Sequence, residues 1–86
     1  MNINELIAIV KKKIEKEIII EKIYIEDKSF LHKNHVGNNP NRFHLKIQIK
    51  SEELKKLSKI EGTKKIYKIL DYEIKNFIHS LQLLIN

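Results

Sequence analysis

Four histidines carry most of the chemistry this chain can offer: His32, His35, His44 and His79. There is no cysteine. Disulfide staples, cysteine zinc sites and thiolate nucleophiles are therefore excluded, and an iron-sulfur cluster bound here needs other ligands or a partner's thiolates. His79 lies near the start of the apolar run Asn76-Phe77-Ile78-His79-Ser80-Leu81-Gln82-Leu83-Leu84, which reads as the last strand. A group that takes up a proton or binds a metal is an unusual choice in a strand that must bury one face. Two roles fit it, a hydrogen-bonded core residue or a ligand. His32 and His35 form an HxxH pair on a polar segment, a spacing that lets both imidazoles face one metal, and neutral imidazole suits iron, zinc or copper. His79 becomes a third ligand if the loop end near His35 sits beside the start of the last strand. His44 falls on the opposite face of its strand from the apolar residues, where a surface or cross-strand polar contact is a commoner role than metal binding.

Other chemistry is sparse. No Gly-rich phosphate cradle is present, and the acidic residues mostly stand where helix caps and solvated faces place them, so the chain is expected not to be an enzyme. The formal charge of +6 suits an acidic partner, either nucleic acid or an acidic protein face. Lys55, Lys56, Lys59, Lys64, Lys65 and Lys68 crowd the expected helix pair and are the candidate nucleic-acid contacts. The solvated faces of two amphipathic helices account for the same lysines. Arg42 is the only arginine, so the guanidinium forks that commonly read phosphate or guanine are missing.

The elements that must position these residues follow from spacing. Asn2 and Glu5 have the spacing of a reciprocal helix cap, and Ile3, Leu6, Ile7, Val10 and Ile14 recur at helical intervals to about Lys16. From Glu17 the β-branched run Ile18-Ile19-Ile20, then Ile23 and Ile25 alternating with Lys22, Tyr24 and Glu26, predicts a half-buried strand ending near Asp27. Asp27 to Arg42 is rich in turn formers and predicts a long polar loop. Phe43, Leu45, Ile47 and Ile49 alternate with polar residues in a second strand. Ser51 opens a short helix with Leu54 and Leu57 inward. Ser58 and Glu61 open another, carrying Ile60, Thr63, Ile66, Tyr67, Leu70 and Ile74 inward. A strand-helix-helix-strand connection predicts that the second and third strands run parallel, while the first hairpin is antiparallel. The fold class is thus α+β: a small αββααβ sandwich, a three-stranded mixed sheet with helices on one face, in a single domain over residues 1–86.

Nothing near Met1 has the pattern of a signal peptide, and no run reaches the roughly 18 apolar residues of a membrane span, so a cytoplasmic protein without a membrane partner is expected.

From Ile23 onward the chain resembles the BolA family, small proteins of KH-like αββααβ fold. Asp27-Lys28-Ser29 is similar to the family's Asp-x-Ser strand end, and His32-Lys33-Asn34-His35 to its His-Ala-Gly-His loop. His44-Leu45 is similar to its Ser/Thr-His-Phe strand opening, and Ile78-His79-Ser80-Leu81 to its Ile/Val-His-Ala-Leu strand. Between Ser51 and His79 the pattern lies on without a gap, with Tyr67, Leu70 and Glu73 in register. Two motifs depart: Phe-x-Gly-Lys is here Leu54-Lys55-Lys56-Leu57, and Arg-His-Arg is Gly62-Thr63-Lys64. The resemblance implies a non-enzymatic adaptor in iron-sulfur cluster trafficking or iron homeostasis that binds a monothiol glutaredoxin. It implies a [2Fe-2S] cluster shared with that partner, with none in the isolated protein. His79 matches the principal ligand and His32 the second, with His35 in reserve and His44 as structural support. The alternative from a different class is a KH-like DNA or RNA regulator working through the lysines. A weak homodimer is left open by the sequence.

Overall fold

Asn2 opens the first helix as its spacing predicts. In the computed structural model the Glu5 amide donates to Asn2 Oδ1 at 2.8 Å while Asn2 Nδ2 donates to Glu5 Oε1 at 3.1 Å. The structure describes residues 1–29 and 42–86. The expected loop, with His32 and His35, therefore lies almost wholly outside the described residues. Helix α1 (Ile3–Glu17) is followed by strands β1 (Lys22–Asp27) and β2 (Phe43–Lys50), helices α2 (Glu52–Lys55), α3 (Lys59–Ile69) and α4 (Asp71–Asn76), and strand β3 (Ile78–Ile85).

The sheet order is β1-β2-β3, with β1 antiparallel and β3 parallel to the central strand. Both pairings match the expectation from connection length. The central strand turns Leu45, Ile47 and Ile49 onto the core face, where they join Leu6, Val10 and Ile14 of α1 and Leu54, Ile66 and Leu70 of the later helices. Each such side chain contributes about 1.5–3 kcal/mol on full burial. The opposite sheet face is open, and Tyr24 stands 61% exposed upon it.

Ser51 ties three segments together. Its buried hydroxyl accepts the Leu54 amide at 3.2 Å and donates to the Ile19 carbonyl at 2.8 Å, so it caps α2 and anchors the α1–β1 connection at once. Ser58 caps α3 as expected, its Oγ accepting the Glu61 amide at 3.1 Å.

Four details differ from the sequence expectation. Strand β1 starts at Lys22 instead of Glu17: the Ile18 amide closes α1 on the Ile14 carbonyl, Ile18 is drawn into the core, and Ile19 is left 72% exposed. The helix expected to run from Ser58 past Ile74 breaks at Leu70, whose ψ of 15° leaves the helical region. The inner face of α3 is Gly62, Ile66 and Ile69, so Ile60 is 68% exposed and Tyr67 40% exposed instead of buried. Helix α4 continues through Asn76, so β3 begins at Ile78 and not at Asn76.

Candidate ligand site

The start of β3 contains an irregularity that sequence periodicity does not reveal. Phe43 of β2 pairs with Ile78, but the next residue, His44, pairs with Ser80. His79 is thus the extra residue of a β-bulge, a feature uncommon between parallel strands and one that re-aims side chains. Under strict alternation, buried Ile78 would be followed by an inward Ser80 and an outward Leu81. The bulge restores the core phase, so that Leu81, Leu83 and Ile85 pack inward while His79 and Ser80 are both exposed. One inserted residue therefore supplies two adjacent polar side chains on the solvent side without loss of core.

Opposite them stands His44, buried to 4% exposure. Its ring Nδ1 shares a hydrogen bond of 2.6 Å with Ser80 Oγ, and its ring centre lies 4.9 Å from that of His79 at a 52° tilt. The backbone around His44 is held from the β1 side. Asp27 Oδ1 accepts the Ser29 amide at 2.9 Å, an Asx turn that sets Ser29 Oγ to accept the His44 amide at 3.1 Å. The Lys28 amide donates to the His44 carbonyl at 2.7 Å. The Asp27-Lys28-Ser29 motif thus has a mechanical role in seating His44.

The helix side is fixed by two residues that the sequence did not single out for the site. Arg42 Nη2 donates to the carbonyls of Ile74 at 2.9 Å and Lys75 at 2.6 Å, with Ile78 O at 3.4 Å. A guanidinium at this place satisfies orphan carbonyls and meets the negative end of α4, one residue before the bulged strand begins. Glu73, buried to 3% exposure, pairs with Lys13 of α1 at 2.7 Å and locks α4 to the first helix. Sixty positions separate the two partners, and no local pattern announces such a pair. The clue available for Arg42 was its isolation as the lone arginine in a lysine-rich chain.

His79 and His44 are brought together, and His32 and His35 lie outside the described residues. Among the described residues no group of three or more His, Cys, Asp or Glu side chains converges as a metal site. His44 and His79 therefore do not make a complete metal centre among the described residues. The six lysines are all exposed but divide into groups. Lys59 and Lys64 border the C-terminal half of β3. Lys65 and Lys68 face Lys13 and Lys16 across an α1–α3 groove, and Lys65 lies 3.6 Å from Glu53. Lys55 and Lys56 stand at the end of α2.

Among the described residues no helix is long and apolar enough to cross a membrane. The family description "BolA-like protein" matches residues 14–86. A Haemophilus influenzae relative described as "DNA-binding transcriptional regulator BolA" is 33% identical over 75 residues, covering 87% of this chain and 70% of that protein. The BolA domain of SufE1 from Arabidopsis thaliana superposes with a TM-score of 0.78 at 25% identity, covering 92% of this chain and 87% of that one. BolA1 from Arabidopsis thaliana gives 0.77 at 22% identity over 92% and 87% of the two chains, a likeness of fold. A model match across most of the chain, together with these relatives, establishes that this chain belongs to the BolA-like protein family.

Proposed function

We propose that this protein is a non-enzymatic adaptor in iron-sulfur cluster handling, which binds a monothiol glutaredoxin and holds a shared [2Fe-2S] cluster through histidine. The observation that carries the proposal is the bulge at the start of β3, which presents His79 to solvent while His44, tied to Ser80, buttresses its ring. The His79 ring is set by its contact with His44, whose own ring the Ser80 bond orients. His79 is the principal ligand, His32 the second and His35 the reserve. His44 supports the His79 ring. With no cysteine of its own, the chain depends on the partner for thiolates. Imidazole in place of thiolate raises a cluster's reduction potential. Mixing the protein with reconstituted monothiol glutaredoxin tests this: a heterocomplex with an altered visible absorption and circular dichroism spectrum is expected. An unchanged glutaredoxin spectrum and no complex on gel filtration would refute it.

A second reading, a DNA-binding regulator, is favoured by the description of the Haemophilus influenzae relative. Its contacts would be Lys55, Lys56, Lys59, Lys64, Lys65 and Lys68. Lys65 and Lys68 lie on the α1 side, apart from Lys55, Lys59 and Lys64 beside β3, and Lys65 is paired with Glu53, which weakens it. A phosphate-driven site must lose affinity steeply as salt rises, so duplex and single-strand titrations across a salt series decide it.

A further inference from the structure

The two edges of the sheet are protected unequally. On β1, Lys22, Glu26 and Asp27 place charges along the edge, the ordinary device against unwanted strand pairing. Strand β3 spans eight residues, Ile78–Ile85, with no charged side chain. Asn86 donates its amide to the Ile49 carbonyl and accepts from the Ser51 amide, so its backbone faces β2. By alternation Leu84, Gln82 and Ser80 turn the same way, and the amides and carbonyls of Leu81, Leu83 and Ile85 turn to the open edge. The Leu81 carbonyl is covered there by the Tyr67 hydroxyl at 3.4 Å. No hydrogen-bond partner for the outward groups of Leu83 and Ile85 occurs among the described residues.

Beside that bare edge runs a groove of about 480 Å³ between β3 and the first turns of α3, lined by Ile60, Thr63, Leu83 and Ile85 and rimmed by Lys59 and Lys64. Gly62 lets α3 approach the strand here: a Cβ at that position would stand 3.2 Å from Ile85 Cδ1. Ile60, 68% exposed, overhangs the groove, and nothing among the described residues covers it. We infer that the outer edge of β3 at Leu83–Ile85 is a β-augmentation site for an extended acidic segment of another protein. Such a segment would pair with the free backbone groups, set alternate apolar side chains against Ile60 and Ile85, and present carboxylates to Lys59 and Lys64. A second copy of the chain fits less well, because pairing β3 with its twin brings both lysine rims together. The site is distinct from His79, since six residues of strand set Ile85 about 20 Å from it.

The test uses fluorescein-labelled ten-residue peptides that alternate Glu with Val, Ile, Leu or Phe, set against counterparts with Lys for Glu. Anisotropy and amide chemical shifts of the full chain are the readouts. At least one acidic peptide is expected to bind, to shift the amides of Leu83 and Ile85, and to weaken about tenfold or more with Ile60→Glu or Lys64→Glu, both exposed positions whose change leaves the core intact. The proposal is overturned if no acidic peptide shifts those amides. It is equally overturned if the lysine peptides bind as well, or if sedimentation shows the edge closed by self-association. Displacement of the peptide by a single-stranded oligonucleotide of higher affinity would assign the groove to nucleic acid instead.

Discussion

Replacing Arg42 with Met should loosen the bulged start of β3 more than any other single change outside the core. The side chain makes two short charge-assisted bonds, to Ile74 O at 2.9 Å and Lys75 O at 2.6 Å. Bonds to charged groups contribute about 1.5–3 kcal/mol each. The bond to Lys75 is exposed, so water substitutes for much of it. Arg42 Nε is buried without a partner among the described residues, and Met removes that cost of about 1–3 kcal/mol. The net loss is about 1 kcal/mol, and at 4–8 °C per kcal/mol for a domain of this size the melting temperature should fall by about 5 °C. Because the carbonyls concerned all lie at the α4–β3 junction, amide exchange at Phe77 to Ser80 should accelerate more than exchange in the α1 core around Val10. Urea unfolding followed by circular dichroism gives the first number, and hydrogen exchange by NMR the second. An unchanged midpoint, or uniform acceleration throughout the chain, would refute the assignment of Arg42 as the clasp of this junction.

Other expectations follow from the same contacts. Ser80→Ala removes the 2.6 Å bond to His44 at an exposed position that leaves no cavity. Stability should fall by only about 1 kcal/mol, while the imidazole resonances of both His44 and His79 move in NMR spectra; unmoved resonances would mean that Ser80 does not orient the rings. Ser51→Ala deletes a helix cap and the tether to Ile19 O together, and a loss of about 2 kcal/mol is expected in equilibrium unfolding. The Lys28 hydrogen bond, aided by the charges of Lys28 and Lys46 and by Gln48, holds the Glu26 carboxyl below its usual range against partial desolvation. Its stabilising effect is therefore complete above the ordinary glutamate pKa of about 4.3 and fades as the pH falls through the lower value in the fold. Lys28→Met should raise the Glu26 titration midpoint, read by carboxyl carbon shifts, and an unmoved midpoint would remove Lys28 as the cause.

Periodicity carried the fold far. The caps at Asn2, Ser51 and Ser58, the strand end at Asp27 and the alternation from Phe43 to Lys50 are local signals, and the structure matches them. Misreadings came where tertiary packing outweighs local preference. Ile18-Ile19-Ile20 reads as strand, yet the core claims only Ile18 in full, and the chain needs the others to turn the corner after α1. Leu70 carries neither proline nor glycine beside it, so the break between α3 and α4 had no sequence mark. For the site, His79 and its strand were legible, since an imidazole in an apolar run invites explanation. Its position on a bulge, the Arg42 clasp and the buried Glu73–Lys13 pair arise from contacts far apart in sequence, where spacing is silent.

The proposed ligation of a shared cluster by His79 comes down to one bond, from an imidazole nitrogen to iron. Pulsed electron paramagnetic resonance of the reduced heterocomplex, with this chain labelled with ¹⁵N-histidine, reads the ligand nitrogen directly. A strong ¹⁵N coupling is expected with the native chain, and its loss or weakening with His79→Ala. A spectrum without histidine coupling, or one that His79→Ala leaves unchanged, would contradict that ligation.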